Sequence, residues 1–304
     1  MLIEKAIRIL REEGIQIFFK KSFRYLQDKF QFFFQPYSLF KIKKFTSTDI
    51  TESINFLFNK LLLIKTSQIP EEIPQLLQIL EERKPKTILE IGTANGGTLF
   101  LFSRIASDDA TLISIDLPRG RFGEGYPIWK IPLYKSFARK NQKIHLIRED
   151  SHDQETLEKV KNILNGKKID FLFIDGDHTY EGVKKDFKMY SKLVKRERES
   201  YSFPRHSLSS ICSRVSSRQV LERNKEEISK HERNNFVYST NMGRNRHALH
   251  LNGIIALHDI VFGPKEKVGG VPKFWKEIKE RNECQEIVKD WSQNGYGIGI
   301  VYKS

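Results

Sequence analysis

The chain has 304 residues, of which 39% are hydrophobic, and it carries a formal net charge of +14. That length is enough for one main core with additions, and the basic balance leaves phosphates, anionic lipid and acidic polymers as partner classes. The two cysteines, Cys212 and Cys284, exclude a disulfide framework and a cysteine-based zinc site and favour a reducing compartment.

The N-terminal part of the chain differs in composition from the rest. Residues 1–45 hold nine phenylalanines and two tyrosines among many lysines and arginines, with apolar residues at helical spacing. We expect a basic, aromatic and helical extension over 1–65. Two interpretations stay open: residues 1–45 pack on the main domain or on a second subunit of a homo-oligomer, or they lie as an amphipathic segment on anionic membrane.

The apolar stretches predict no membrane span. Charges interrupt the apolar residues at the N-terminus, unlike in a signal peptide. The longest apolar stretch, 54–64, contains Lys60 and is far short of the ~20 residues that a spanning helix needs. We therefore expect a cytoplasmic protein, peripheral at the inner membrane face if its N-terminal segment binds lipid.

From Ile69 onward the sequence alternates between short apolar strands and amphipathic helices. This alternation is typical of an α/β, Rossmann-like sheet with helices on both faces. The predicted strands cover 86–92, 110–117, 143–150, 169–175 and 253–259, followed by a closing pair in "CQEIVKDW" and "YGIGIVY". The predicted helices cover 70–83, 96–106, 129–140, 153–164, 180–194 and 271–281.

One segment interrupts this alternation. Residues 196–251 are rich in Ser, Arg, Asn and Glu, whereas a compact α/β domain passes from helix to strand in about 2–6 residues. We interpret the segment as a polar, disordered insertion before strand five, at a surface turn. A nucleic-acid-binding arm is the alternative, but no motif supports it, and no nucleic-acid partner is expected.

The strongest local pattern is "LEIGTANGG" at 89–97, where small residues link a strand to a helix. Small residues let the backbone lie close to a ligand at the N-terminus of the helix, although dinucleotide-binding folds use a similar pattern. Acids that end the next two strands favour S-adenosylmethionine (SAM), with one carboxylate for the ribose and one near the adenine. The predicted cofactor residues are Glu90, Gly92, Thr93, Asn95, Gly96, Asp116, Leu117, Asp150 and Ser151.

From about residue 66 to 302, leaving out 196–251, the chain resembles a class I SAM-dependent methyltransferase. It most resembles the metal-dependent O-methyltransferase branch, cephalosporin hydroxylase-like and macrolide-sugar O-methyltransferase-like. The matching stretches are "QIPEEI", "LEIGTANGGT", "SIDLPRGRFGEGYP", "GDHTYEGV", "ALHDI" and "GVPKFWKEI". The resemblance implies a methyltransferase domain over 66–304, a seven-stranded sheet whose last strand is antiparallel, and SAM as cofactor.

The same resemblance implies a divalent ion, Mg²⁺ or Mn²⁺, at the ends of strands four and five. Its ligands would be Asp175, His258 and Asp259, with His178 as the base that takes the acceptor proton. Asp259 follows Asp175 by 84 residues, and removing the roughly 55-residue insertion leaves about 29, close to the family's spacing. His258 stands where relatives carry a carboxylate or an amide, so the alternative is a packed group that orients Asp259.

A second alternative concerns the start of the following helix. Asp177 and His178 would then simply cap the helix that begins at Tyr180. The glycine- and aromatic-rich segment 120–129 is either a loop that closes over a sugar or planar acceptor, or an ordinary surface loop.

The main functional hypothesis is a SAM-dependent O-methyltransferase acting on a hydroxyl of a sugar, glycan or glycosylated metabolite. One alternative is a family member that acts on a small non-sugar metabolite or assists a hydroxylase. The other is a non-catalytic SAM-fold scaffold, whose insertion and N-terminus bind partners.

Overall fold

The computed structural model describes residue 15 and residues 30–120, 125–196 and 252–303. Most of the predicted extension before Phe30, and nearly all of the predicted insertion, lie outside the described residues. The described residues all belong to the first of two units, which is formed by Met1–Glu197 and Leu249–Ser304. The second unit, Arg198–Ala248, lies outside the described residues. None of the helices in the described ranges has the length and apolar content that a bilayer span requires.

The described residues form one seven-stranded sheet with the strand order β3-β2-β1-β4-β5-β7-β6. The first five strands are parallel, and β7 runs antiparallel to both β5 and β6. This confirms the predicted fold class. The strands are β1 Thr87–Ile91, β2 Thr111–Ile115, β3 Lys143–Ile147, β4 Phe171–Ile174, β5 Ile254–His258, β6 Glu283–Ile287 and β7 Ile298–Tyr302.

Helices precede the sheet and connect its strands. In chain order they are α1 Gln35–Lys44, α2 Ile50–Lys60, α3 Ile73–Arg83, α4 Gly97–Ile105, α5 Ile131–Lys135, α6 Gln154–Leu164, α7 Tyr180–Tyr190, α8 Lys265–Val268 and α9 Val271–Lys279. Short 3₁₀ turns at Ile128–Lys130 and Ser191–Leu193 adjoin α5 and α7.

The central strands are buried on both faces, which explains their continuous apolar sequence. In β4, Phe171 and Phe173 belong to the core on one side of the sheet, and Leu172 and Ile174 to the core on the other side. Successive side chains of a strand point to opposite faces, so four consecutive apolar residues supply both cores. The polar side chains that the sequence places after these strands therefore lie at the carboxyl edge of the sheet.

The predicted helix over 129–140 is shorter in the structure, where α5 ends at Lys135. The chain then turns, and Lys140 adopts a left-handed conformation with φ of 47°. This turn buries Phe137 in the core and lets the guanidinium of Arg139 donate to the carbonyls of Ser103 and Arg104. Tertiary contacts therefore end the helix earlier than its sequence indicates.

The second half of the predicted extension packs on the same core as the sheet. Helix α2 begins at Asp49, whose Oδ1 accepts a hydrogen bond of 2.8 Å from Glu52 N. Its residue Leu57 is buried, and so are Leu61 and Ile64 after its end, in one cluster with the core under β1 and β4. Residues on both sides of residue 65 therefore belong to one hydrophobic core. The domain boundary at residue 65 stays a prediction.

The two ends of the predicted insertion meet in the described structure. Lys195 N donates to Ile169 O over 2.9 Å, and Gly253 N donates to Lys195 O over 3.0 Å. Gly253 lies against Val194 so closely that an added Cβ would come within 2.4 Å of Val194 Cγ1. The chain thus leaves and re-enters the sheet at one point, as expected for an insertion at a turn.

We predict that residues 197–251 are dispensable for folding. Replacing them with a short Gly-Ser linker should keep the Tm within a few degrees, because the ends are already joined by a backbone hydrogen bond and a shorter loop costs less closure entropy. Circular dichroism melting of the deletion variant against the full chain measures this. Loss of a cooperative transition in the variant would show that the segment belongs to the folded core.

Candidate active site at the carboxyl edge of the sheet

The turn after β1 depends on a glycine at position 92. Gly92 has φ of 93°, and a Cβ there would lie 2.0 Å from Asp175 O. Gly92 N donates to Ile115 O over 2.9 Å, and Asp175 N donates to Ile91 O over 2.8 Å. Only a residue without a side chain fits this contact, which brings the end of β1 against the end of β4.

Side chains of α5 and of the residue just before it contact the rest of the predicted cofactor turn. Gly96 has φ of 76°, and a Cβ there would lie 2.6 Å from the ring of Tyr134. Tyr134 OH donates to Ala94 O over 2.9 Å, and Lys130 Nζ donates to Asn95 Oδ1 over 2.9 Å. The turn is therefore fixed by side chains that pack behind it.

A cavity of about 290 Å³ opens in front of this turn, along the ends of β1 to β4. Five of the predicted cofactor residues line it, together with Asp175 of the predicted metal set. The lining residues are Ile91, Gly92, Ala94, Ile115, Asp116, Leu117, Gly120, Glu149, Asp150, Ser151, His152, Asp175, Gly176, Asp177 and Thr179. The remaining four predicted cofactor residues, Glu90, Thr93, Asn95 and Gly96, are not among them.

Asp116, predicted to bind the ribose, lies in the cavity wall. It ends β2, lines the cavity, and its Oδ2 accepts a hydrogen bond of 3.1 Å from Ala94 N. Burial raises the pKa of Asp116 to about 6, against the opposing effect of backbone N–H donors. The group is thus ionised at neutral pH and available as a hydrogen-bond acceptor.

Glu90 lies beneath the turn, away from the cavity lining. Its carboxyl is fully buried and accepts a hydrogen bond from Thr98 Oγ1, while Thr93 Oγ1 bonds Ser114 Oγ nearby. Burial raises the pKa of Glu90 to about 8. A neutral, buried carboxyl supports the strand-to-helix turn, and a direct contact of Glu90 with a ligand ammonium stays a prediction.

The wall formed by Ser151 and His152 depends on a buried acid that the sequence analysis missed. Asp186 Oδ1 accepts a hydrogen bond of 2.7 Å from Ser151 Oγ and lies 3.3 Å from His152 Nε2. The hydrogen bond to Asp186 raises the pKa of His152 above its ordinary value. The sequence pattern could have indicated this role, because Asp186 is an acid on the same helical face as the buried residues Val183 and Tyr190.

A second cluster adjoins the cavity at Asp175. Ligand atoms of Asp175, His178 and Asp259 all lie within 4.8 Å of one another. His178 Nε2 is 3.3 Å from Asp175 Oδ1, and His178 Nδ1 is 3.4 Å from Asp259 Oδ2 and within hydrogen-bond distance of Lys267 O. The ends of β4 and β5 therefore converge as the residue spacing indicated.

His258 also joins this cluster, but through Asp175. His258 Nδ1 lies 3.1 Å from Asp175 Oδ1 and 3.8 Å from Asp259 Oδ1. Its Nε2 is buried and has no hydrogen-bond partner among the described residues. In the structure, His178 rather than His258 supplies the imidazole that groups with the two carboxylates, so ligation by His258 stays a prediction.

The helix cap that was the alternative role for His178 belongs to another residue. Thr179 Oγ1 accepts from Gly182 N over 3.0 Å and caps α7. Asp177 Oδ1 accepts from Thr179 N over 2.8 Å in a local turn, while His178 faces Asp175 and Asp259. His178 is therefore not needed to start the helix.

The charges of the cluster stabilise one another. Burial raises the pKa of Asp175, but the charge of His258 and hydrogen bonds from both imidazoles outweigh it and hold the pKa at about 2. Burial lowers the pKa of His178, but the hydrogen bond and charge of Asp175 outweigh it and raise the pKa to about 9. Without another cation, His178 holds its proton at neutral pH.

The site also includes Gln68, a residue that the sequence analysis did not single out. Gln68 is buried, and its Nε2 donates to Asp175 Oδ2 over 3.3 Å. Its Oε1 is buried and has no hydrogen-bond partner within the described residues. Only the folded arrangement brings this residue, before α3, to the end of β4.

The two described aromatic residues of segment 120–129, Tyr126 and Trp129, pack into the protein. Tyr126 is buried, with its ring 4.8 Å from the ring of Tyr134, and Trp129 packs against Phe32 with ring centroids 6.2 Å apart. Neither ring lines the cavity. Residues 121–124 lie outside the described residues.

Part of the chain is similar to known proteins. Residues 89–197 match the family model of a methyltransferase domain. An uncharacterized protein of Acanthamoeba polyphaga mimivirus is 34% identical over 115 residues, which are 38% of this chain and 49% of that protein. The chain thus spans about half the length of this curated relative.

Solved structures of O-methyltransferases show a distant likeness. TomG from Streptomyces achromogenes, in complex with SAM, is 16% identical with a TM-score of 0.43, over 86% of this chain and 92% of that one. An O-methyltransferase from Bacillus cereus, in complex with SAH, is 15% identical with a TM-score of 0.43, over 86% and 93%. Likenesses this distant do not extend the chemistry of those enzymes to this chain.

The matched segment 89–197 contains the predicted cofactor turn and all the residues that line the cavity, including Asp175. The residues around the cavity thus lie in the segment that matches a methyltransferase domain. These findings support a SAM-dependent methyltransferase.

The first prediction from this site concerns Asp116. In Asp116→Ala, the affinity for SAM should fall about tenfold or more, because the substitution removes a charged hydrogen-bond acceptor from the cavity wall. Isothermal titration calorimetry measures the Kd, and Asp109→Ala, at the opposite end of β2 and exposed, is the matched control. Equal SAM affinity in folded Asp116→Ala and wild type would refute the ribose role.

The second prediction concerns Asp186 and His152. In Asp186→Asn, the pKa of His152 should fall to or below its ordinary value of about 6.5, because the substitution removes the buried negative charge opposite the imidazole. In the wild type, the same imidazole stays protonated to a higher pH. NMR titration of the His152 ring protons measures both values, and an unchanged pKa would mean that Asp186 does not hold this wall of the cavity.

Proposed function

We propose that this protein is an O-methyltransferase that transfers the methyl group of SAM to a hydroxyl of a sugar, glycan or glycosylated metabolite, with a divalent cation bound beside the cofactor. The observation that carries this proposal is that Asp175 belongs to both the cavity and the cluster. It lines the cavity below Gly92, and it belongs to the cluster with His178 and Asp259. A hydroxyl bound at the cluster would therefore be next to the cavity where the methyl donor binds.

The donor side of this proposal rests on the cavity walls. Asp116 would accept hydrogen bonds from ribose hydroxyls, and Gly92 lets the backbone of the turn approach the donor closely. Ser151 and His152, fixed by Asp186, would form the wall beside the adenine. These contacts orient the donor without using the carboxylates of the second cluster.

The side chains around Asp175 fit a divalent cation. Asp175 and Asp259 offer carboxylate oxygens close together, next to the imidazole of His178. Gln68 Oε1 and His258 Nε2 are buried polar atoms with no hydrogen-bond partner in the described ranges, and both side chains bond Asp175 through their other polar atom. Hard oxygen donors favour Mg²⁺, and the imidazoles make Mn²⁺ an equally good fit.

A cation held by Asp175 and Asp259 would bind the acceptor hydroxyl, lower its pKa and offset the negative charge that keeps His178 protonated. The role of His178 would then be to take the proton of the acceptor hydroxyl. Its Nδ1 side faces Asp259 and Lys267 O, while its Nε2 faces Asp175. These contacts fix the orientation of the ring at the end of β4.

The acceptor class rests on the resemblance to macrolide-sugar O-methyltransferases. That resemblance includes "GDHTYEGV", which contains His178 and directly follows Asp175, and "ALHDI", which contains His258 and Asp259. The cluster is suited to a hydroxyl acceptor of any carbon skeleton, so the choice among sugars, glycans and non-sugar metabolites depends on the acceptor assay.

The decisive experiment measures methyl transfer from isotopically labelled SAM to a panel of nucleotide sugars, glycans and small phenols. We expect transfer to a sugar hydroxyl that EDTA abolishes and Mg²⁺ or Mn²⁺ restores, while calorimetry shows that SAM binding survives EDTA. His178→Ala should lower kcat about 10²-fold with little change in SAM affinity. His145→Ala, on edge strand β3 and outside the cavity lining, is the matched control.

Metal binding has a readout that does not need the acceptor. Electron paramagnetic resonance of Mn²⁺ should show binding to the wild type that is weakened in Asp175→Asn and in Asp259→Asn, because each substitution removes one anionic ligand. Full transfer in EDTA would remove the metal from the proposal. SAM binding without transfer to any acceptor would favour the non-catalytic scaffold.

A further inference from the structure

The surface around α1 exposes a row of aromatic rings. Phe30 is 70% exposed, Phe33 75%, Tyr37 49% and Phe40 55%. Tyr37, Phe40 and Lys44 follow one another at spacings of three and four, so they lie on one side of α1. We name these four aromatic residues the aromatic face.

The opposite side of α1 is fixed to the folded domain. Gln35, Ser38 and Ile42 are its buried residues. Gln35 Nε2 donates to Trp129 O over 2.6 Å, and the Trp129 ring also packs edge-on against Phe32. The helix therefore cannot rotate the aromatic face inward without losing these contacts.

The charge around the aromatic face has one sign. Lys41, Lys43 and Lys44 form the last turn of α1, and no acidic residue occurs between residues 30 and 48. The ammonium of Lys41 lies 4.5 Å from the ring centroid of Tyr37, and that of Lys44 lies 4.4 Å from that of Phe40. Exposed rings with lysines beside them combine an apolar surface with positive charge.

We propose that α1 docks on an anionic phospholipid bilayer through the aromatic face, with Lys41, Lys43 and Lys44 at the headgroups. Aromatic rings and lysines on one side of a helix are suited to the headgroup region, where the rings leave water and the ammonium groups meet phosphates. A neutral protein surface would cover the rings but leave the charge of the three lysines unpaired. A second copy of the same face would meet these lysines with like charge.

This inference goes beyond the proposed methyl transfer and does not depend on it. The surface consists of α1 and the residues just before it, none of which lines the cavity. Its test therefore uses vesicle binding by the full chain and needs neither donor nor acceptor.

The experiment is flotation of the full chain with vesicles of phosphatidylcholine, with and without phosphatidylglycerol. We expect flotation with the anionic vesicles only, weakened by added salt. Replacing Lys41, Lys43 and Lys44 together by Gln should lower the partition coefficient about 10²-fold, at about fivefold for each lysine. Replacing Phe33, Tyr37 and Phe40 together by Ser should lower it at least about tenfold, because the rings no longer leave water.

Two control variants match these changes at other exposed positions. Replacing Lys161, Lys167 and Lys168 together by Gln changes the net charge by the same amount. Replacing Phe262 and Trp291 together by Ser removes exposed rings elsewhere. Both control variants should float like the wild type. Melting curves show whether each variant is folded. If the variant of Phe33, Tyr37 and Phe40 does not fold, the variant of Lys41, Lys43 and Lys44 decides the test.

Three results would overturn the proposal. One is no flotation of the wild type, or equal losses in the test and control variants. Another is that light scattering finds a dimer for the wild type and a monomer for the aromatic variant, and that the wild type does not bind vesicles. This result would assign the aromatic face to contact with a second copy. The third is flotation only after removal of residues 1–29, which would assign the face to the chain's own N-terminal segment.

Discussion

The close contact between the backbone at Gly92 and that at Asp175 is the constraint on which the rest of the site depends. A side chain at position 92 would overlap Asp175 O, so the turn after β1 and the end of β4 approach each other only because this residue is glycine. The contact places the cofactor turn on one side of Asp175 and the cluster with His178 on the other. The cavity and the candidate cation site are therefore parts of one structure.

The carboxyl edge of the sheet concentrates acids, and each is accommodated by a different physical means. Glu90 is buried deeply enough that it stays protonated at neutral pH. Asp116 remains ionised because backbone N–H groups offset part of its burial. Asp175 is ionised because two imidazoles face it. Similar side chains at the ends of neighbouring strands thus supply a structural support, a hydrogen-bond acceptor and an anionic ligand.

Most of the fold follows from the sequence, because buried parallel strands need continuous apolar runs and their polar ends mark one edge of the sheet. The family resemblance placed Asp175 and Asp259 together, since the spacing left after the insertion is close to that of the family. Sequence reasoning missed Gln68 and Asp186, whose roles depend on helices packing against strands far away in the chain. It also left two roles open for segment 120–129, because an aromatic residue such as Tyr126 in a glycine-rich segment has the same sequence pattern whether it faces a ligand or the core.

The separation of the two aspartates has a consequence for the order in which the site forms during synthesis. Every residue that lines the cavity lies between residues 91 and 179, before the long polar segment, whereas Asp259 follows β5 beyond it. A ribosome releases the complete set of cavity residues well before it releases Asp259. The nascent chain therefore carries every cavity residue before it carries Asp259, the last member of the cluster with Asp175 and His178. The pairing of β5 with β4 places that last member beside Asp175.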